Sequence, residues 1–322
     1  MKTVITVTKG AAFAMMLSAT TISSAQALTV YTAGPGSLAK SLASGYEKKT
    51  GVKVNIFQAT TGKVMARLEA EQANPQADVL ISASWDTAED LHHRGWLLPY
   101  QSANADKVPA NLKSADYVAQ GISALGIVWN TKSGTPEPKE WRDLTEAAFK
   151  DKVTTPDPAL SGASLDLLIG LQNGMGDKAW ALFDALKKNG MVVSGPNAQA
   201  VTPVMQGAKA AVFGAVDYVS YGNIHQGESL KVIFPASGTV IAPRPMMILK
   251  TSQHADDAKA FVDYVLSPEG QALVADAWLM PARSDIPAKR PLLNELKILP
   301  TAGDGNSERS AVLSRFNTLF AQ

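Results

Sequence analysis

From Leu28 onward the chain alternates strand signals with helix signals, and few folds accommodate that order. The segment "LTVYT" at 28–32 is β-branched and aromatic, a strand pattern. "AGPGS" at 33–37 interrupts it. Leu38, Leu42 and Tyr46 then recur at helical spacing, which predicts a helix over about 38–49. Gly51 stops that helix as a left-handed cap. "VKVNIF" at 52–57 is a second strand, 62–73 a second helix, "ADVLIS" at 77–82 a third strand, and another helix follows near 87–93. A β-α-β-α-β-α order implies an α/β fold with a mostly parallel sheet.

A second set follows. Residues 120–129, "QGISALGIVW", form a strand-like run, and the turn-rich "NTKSGTPEPKEW" reads as a passage between lobes. Strand signals recur at 152–155, 191–193 and 210–215, with helices near 164–173, 177–188 and 199–207 between them. "GTVIAPRPMMIL" at 238–249 is a long β-rich run that crosses back. The end is helical at 255–266, 268–278 and about 308–320. A length of 322 residues suits two domains at roughly 150 residues each.

The first 27 residues read as an export signal. Lys2 and Lys9 precede an apolar stretch from Ala11 to Leu17, and small residues lead to Ala25-Gln26-Ala27, an A-x-A cleavage site. The apolar stretch is too short to span a bilayer. Cleavage after Ala27 leaves 322 − 27 = 295 residues with a formal charge of 28 − 29 = −1. That balance gives no field to attract nucleic acid, so any charged ligand must be held by local groups. The absence of cysteine excludes a lipid anchor on a cleavage-site cysteine, disulfides and thiolate metal sites. A periplasmic location fits these features.

Several stretches taken together carry a resemblance. They are "LTVYTAG", "YEKKTGVKVNIF", "RLEAEQANPQADVLIS", "LGIVWN", "TTPDPALSGAS" and "ADDAKAFVDYVLSPEGQALVADAWLMPAR". Across nearly all of the mature sequence the chain resembles periplasmic solute-binding proteins of ABC importers, in the branch that includes ferric-ion-binding proteins. The resemblance implies two α/β lobes of the type II periplasmic-binding kind, joined by crossing strands and closing on a ligand by a hinge. The lobes would be 28–125 with 245–322, and 126–244. It also implies a monomer that delivers a small molecule to a membrane permease. Iron binders of this branch use two adjacent tyrosines, commonly with a histidine and a glutamate. Here Tyr218 takes the first tyrosine position and Val219 the second, Ala83 stands where the carboxylate is expected, and no histidine lies near "YTAGPGS". That leaves one of four ligands. His92 and His93 are adjacent and lack metal-ligand spacing. No metal or other cofactor is therefore expected.

The resemblance assigns an anion to Ser161, Gly162, Ala163 and Ser164. Elementary physics agrees, because the first turn of a helix offers unpaired N–H groups and partial positive charge. A plain serine cap is the competing role for the same residues. From the first lobe, Ser37 in "AGPGS" and Thr60, Thr61 and Gly62 in "QATTGK" are further candidates. Asn197 precedes another helix and serves equally as a cap or a ligand donor. Ser84 and Trp85 lie in "SASWDT", where the indole fits stacking on a ligand as well as packing on the lobe. Arg244 in "APRPMM" suits bidentate pairing with phosphate or phosphonate, or an exposed charge. Asp217 repels an anion but suits an ammonium or sugar hydroxyls. Convergent anion donors with such a handle favour an aminophosphonate or a sugar phosphate.

A serine enzyme fits less well. Ser37 to Lys40 is S-x-x-K and Lys49 to Gly51 is K-T-G, but the S-D-N between them is missing and "GASLD" is not G-x-S-x-G. The reading as an exported protein makes a direct prediction: intact-mass measurement on periplasmic material gives a mature N terminus at Leu28. A retained Met1 or a lipid adduct contradicts it.

Overall fold

The computed structural model describes residues 27–300 and 306–321; the expected signal segment, apart from Ala27, lies outside the described residues. Strand β1 (Leu28–Thr32) leads through α1 (Gly36–Thr50) to β2 (Val54–Gln58), and through α2 (Thr61–Ala70) to β3 (Val79–Ile81). The three strands pair in parallel, with β1 central. Gly51 ends α1 at φ 78°, and its N–H donates to the Glu47 carbonyl at 2.8 Å, the left-handed cap anticipated from the sequence. Helix α3 (Trp85–His93) completes the first set.

Strand β4 (Tyr117–Asn130) is buried along all 14 residues. That is why its sequence reads as an apolar run and not as an alternation. The second set holds β5 (Val153–Thr155), α4 (Gly162–Met175), α5 (Asp177–Lys188), β6 (Val192–Val193), α6 (Asn197–Met205), β7 (Ala211–Val216), α7 (Asp217–His225) and β8 (Leu230–Ile233). The chain returns through β9 (Ile241–Ile248) to α8 (Ala255–Val265), α9 (Pro268–Asp276), β10 (Met280–Pro281) and α10 (Asn306–Phe320).

The sheet runs β2-β1-β3-β9-β4-β7-β5-β6, with β8 and β10 also on β4. Parallel pairs occupy both flanks, while β4 and β9 run antiparallel at the centre. The sheet is thus mixed where a mostly parallel one was expected, because the two crossing strands join the lobes in opposite directions. Tyr117 to Ala124 of β4 pairs with β9, and Leu125 to Asn130 pairs with β7 and β8. One apolar core gathers Leu28, Val30, Leu42, Tyr46 and Val79 with Phe261 and Val265. The other gathers Leu125, Ile127, Trp141, Leu168, Phe183 and Phe213.

The C-terminal helix departs from the expected division. The expected first lobe takes in residues 245–322, yet Val312 and Phe316 of α10 are buried in the second core, against α4 and α5. Phe316 packs edge-on to Phe183 at 6.4 Å between centroids, and burying such a ring outweighs the pull of neighbouring sequence. Arg309 on α10 then joins the halves. It pairs with Asp86 on α3 and with Asp166 on α4, the latter at 2.7 Å.

One guanidinium between two carboxylates leaves a negative charge over. Burial pushes the Asp166 carboxyl up from 3.8 to about 6, with Arg309 opposing and Asp86 reinforcing the shift. The native carboxyl therefore keeps its proton where the unfolded chain has released it. The resulting stabilisation is complete below the unfolded value of 3.8 and is lost as pH rises through about 6. Asp166→Asn should flatten that limb when urea-unfolding free energies of variant and wild type are compared from about pH 4 to pH 7. Parallel curves for the two proteins would mean that Asp166 is ionised throughout.

Candidate functional site

A cavity of about 580 Å³ opens between the two halves. Its floor is set by β9. Pro243 and Pro245 flank Arg244, which confines the intervening backbone to extended geometry. Arg244 is only 2% exposed. One terminal nitrogen donates to the Ala33 carbonyl and the other to the Tyr218 hydroxyl, each at 3.2 Å. The guanidinium also lies 5.0 Å from the centre of the Tyr218 ring, within cation–π range. Its Nε is buried without a partner. Among the described residues no carboxylate forms an ion pair with it.

Four helix starts face the same space. Thr61 and Lys63 come from α2, Gly162 and Ala163 from α4, Asn197 and Ala198 from α6, and Tyr218 and Val219 from α7. Helix starts carry partial positive charge and unpaired amides. Thr60 holds the position ahead of α2 yet makes no side-chain cap bond, and it too lines the cavity. The sequence sets these starts at the carboxyl ends of β2, β5 and β7, where open α/β sheets offer a crevice.

The "SGAS" stretch divides its labour. The Ser161 hydroxyl oxygen accepts from the Ser164 amide at 3.2 Å and from Asn197 Nδ2 at 2.5 Å. With its acceptor positions used, its proton is left for the cavity. Asn197 Oδ1 in turn accepts from the Val216 amide at 3.1 Å, which ties α6 to the start of α7. The amides of Gly162 and Ala163 precede any intrahelical acceptor, and both residues line the cavity.

Of the sequence candidates, Thr60, Thr61, Ser161, Gly162, Ala163, Asn197, Tyr218 and Arg244 are brought together around one cavity. Six other candidates are not. Ser164 is 2% exposed, and its hydroxyl donates to the Pro156 carbonyl at 3.1 Å, away from the cavity. Asp217 is fully buried; it accepts from the Ala124 amide at 3.0 Å and pairs with Arg290, so it offers no handle to a ligand. Burial pushes the Asp217 carboxyl up, against the pull of Arg290. Trp85 packs edge-on to Tyr117 at 5.1 Å between ring centres and supports the lobe. Ser84 is buried behind Gly162, where a Cβ on the glycine would come within 2.8 Å of the Ser84 Cβ. Gly162 is thus one point at which the halves touch. Ser37 and Gly62 are exposed and point off the cavity wall.

Gln58 and Leu160 also line the cavity and had no sequence signal of their own. The position of Gln58 at the carboxyl end of a parallel strand is the one clue that marked it. Val219 and Ala83 line the wall beside Tyr218, where a ferric site needs oxygen ligands.

Separate roles for the two serines can be measured. Ser161→Ala should lower unliganded stability by about 1 kcal/mol as a lost cap. It should also weaken anion binding roughly tenfold or more, the range for a hydrogen bond to a charged group. Ser164→Ala should leave affinity nearly unchanged. A larger affinity loss in Ser164→Ala than in Ser161→Ala, read by calorimetric titration, would reverse the assignment.

Residues 74–302 match the bacterial extracellular solute-binding protein family. The chain is 26% identical to a putative 2-aminoethylphosphonate-binding periplasmic protein of Salmonella typhimurium, over 75% of this chain and 73% of that one. It is similar to the periplasmic binding protein AfuA of Actinobacillus pleuropneumoniae, solved with fructose-6-phosphate bound, at 25% identity, TM-score 0.81, and 91% and 98% coverage of the two chains. It also shares its fold with iron-bound HitA of Pseudomonas aeruginosa, at 22% identity, TM-score 0.79, and 91% and 99% coverage. The crossing strands, the cavity between α/β halves and the match over most of the chain agree, and the protein belongs to the bacterial extracellular solute-binding family.

Proposed function

We propose that this protein is the periplasmic substrate-binding component of an ABC importer and that its ligand is a small anion bearing a phosphate ester or phosphonate group. The observation that carries the reading is Arg244. Burying a charge without a counter-charge costs several kcal/mol, and the cavity surrounds it with further donors and with the exposed Lys63. A tetrahedral dianion supplies the missing charge and enough oxygens for the arginine, the Ser161 hydroxyl and the amides of α2 and α4. Similar proteins named for 2-aminoethylphosphonate binding, or solved with fructose-6-phosphate, support the same class. Closure of the halves on the ligand would present one conformation to a membrane permease.

A ferric ion suits this cavity poorly. Tyr218 is the one tyrosine in the described lining, its hydroxyl already accepts a hydrogen bond from Arg244, and a cation beside that guanidinium would be repelled. Hydrolysis suits it no better. No histidine lines the cavity, so Ser161 lacks a general base there.

Arg244→Met separates a binding role from a structural one. An isosteric apolar residue removes an uncompensated buried charge, so the unliganded variant should melt at or above the wild-type temperature. Affinity for a phosphoryl ligand should fall by about 1.5–3 kcal/mol, roughly ten- to hundredfold. A thermal-shift panel of phosphate esters, phosphonates, carboxylates, sulfate and ferric ion provides the readout, since a ligand at 100 times its Kd stabilises by about 2.7 kcal/mol. Stabilisation by ferric ion and by none of the anions, or an Arg244→Met protein that melts lower yet binds normally, would refute the reading.

A further inference from the structure

Resting on the anion reading, we infer that the cavity accepts hydroxylated phosphate esters and rejects phosphoryl compounds that carry an ammonium group. An ammonium brings three donors and no acceptor, and on burial it needs a carboxylate. The described lining holds two cations, Lys63 and Arg244, and no aspartate or glutamate. The acids close in sequence to the lining are already engaged. Asp217 is fully buried against Arg290 and the Ala124 amide. Asp86 pairs with Arg309. Asp157 accepts from the Ala159 amide at 2.8 Å. An ammonium carried into this space would therefore face like charges without compensation.

The neutral groups present suit hydroxyls. Gln58 donates through Nε2 to the Gly34 carbonyl at 3.3 Å, which leaves its Oε1 as an acceptor. Thr60 and Thr61 carry hydroxyls that both donate and accept. These three residues come from β2 and α2, on the side opposite the α4 start. A ligand whose phosphoryl group meets Arg244, Ser161 and the α4 amides would thus turn a polyhydroxylated body toward Gln58 and the threonines. The cavity volume of about 580 Å³ lies within the range for small-metabolite sites and leaves room beyond a phosphoryl group.

Calorimetric titration of the mature protein at about pH 7.5 tests this with four probes: fructose 6-phosphate, inorganic phosphate, ethylphosphonate and 2-aminoethylphosphonate. The last two differ only in the ammonium group, which is charged at that pH. The expected order places ethylphosphonate at least tenfold tighter than 2-aminoethylphosphonate, and fructose 6-phosphate tighter than inorganic phosphate. Equal or tighter binding of 2-aminoethylphosphonate overturns the exclusion of ammonium while leaving the anion reading intact. Fructose 6-phosphate no tighter than phosphate overturns the role of Gln58 and the threonines. Failure of all four to bind overturns the anion reading itself and the inference with it.

Discussion

Arg244 holds a full positive charge at 2% exposure, with no carboxylate paired to it among the described residues. Much of the surrounding structure follows from keeping that charge in place. Its backbone is fixed between two prolines on a strand that pairs with β3 on one side and β4 on the other. Its guanidinium is held by a carbonyl of the β1–α1 turn and by a tyrosine of α7, one contact from each half. Neither contact neutralises it. The fold therefore carries a standing electrostatic cost of several kcal/mol at its centre, which the proposed anion would offset. On the proposed reading, closure and binding are one event in energetic terms, because the cavity is lined by the α2 start on one side and the α4 start on the other.

The other buried charges show how specific that arrangement is. Asp217 is the neighbour of Tyr218 in sequence. Turned toward the cavity, it would pair with Arg244 and cancel the site. It is instead held inward by Arg290, with both side chains fully buried, and by the Ala124 amide of the crossing strand. Arg309 likewise satisfies Asp86 and Asp166 away from the cavity. Two arginines thus sequester three carboxylates, and among the described residues the buried arginine without an ion pair is Arg244, which lines the opening. Arg290 and Arg309 bear on the cavity through the acids they hold away from it.

Local patterns sufficed for most elements. Gly51 as a left-handed stop, the strand at 28–32 and the long runs that became β4 and β9 were all legible, because each rests on backbone chemistry within a few residues. Helix α7 was not, since "DYVSYGNIH" has no clear apolar stripe and owes its position to the Asp217 pair. The placement of α10 was missed for a related reason: nothing in its sequence says which core receives Phe316. Helix starts were legible as a class. Which side chains point into the cavity was not, because Ser164 and Ser161 differ only by their place in the first turn, and because no local signal pairs Asp217 with a residue 73 positions away.

Capping at "SGAS" leaves room for the proposed ligand at the same helix start. A helix start has more free amides than one serine can satisfy. Ser161 takes the Ser164 amide and leaves those of Gly162 and Ala163, both lining residues, without an intrahelical partner. Asn197 occupies the other side of the Ser161 oxygen, which directs the hydroxyl proton outward. The glycine permits Ser84 to approach from the opposite half, so the free amides lie where the halves meet. Without the cap, those amides would share a frayed first turn. With it, they are fixed before the ligand arrives, and the ordering cost falls on folding and not on binding.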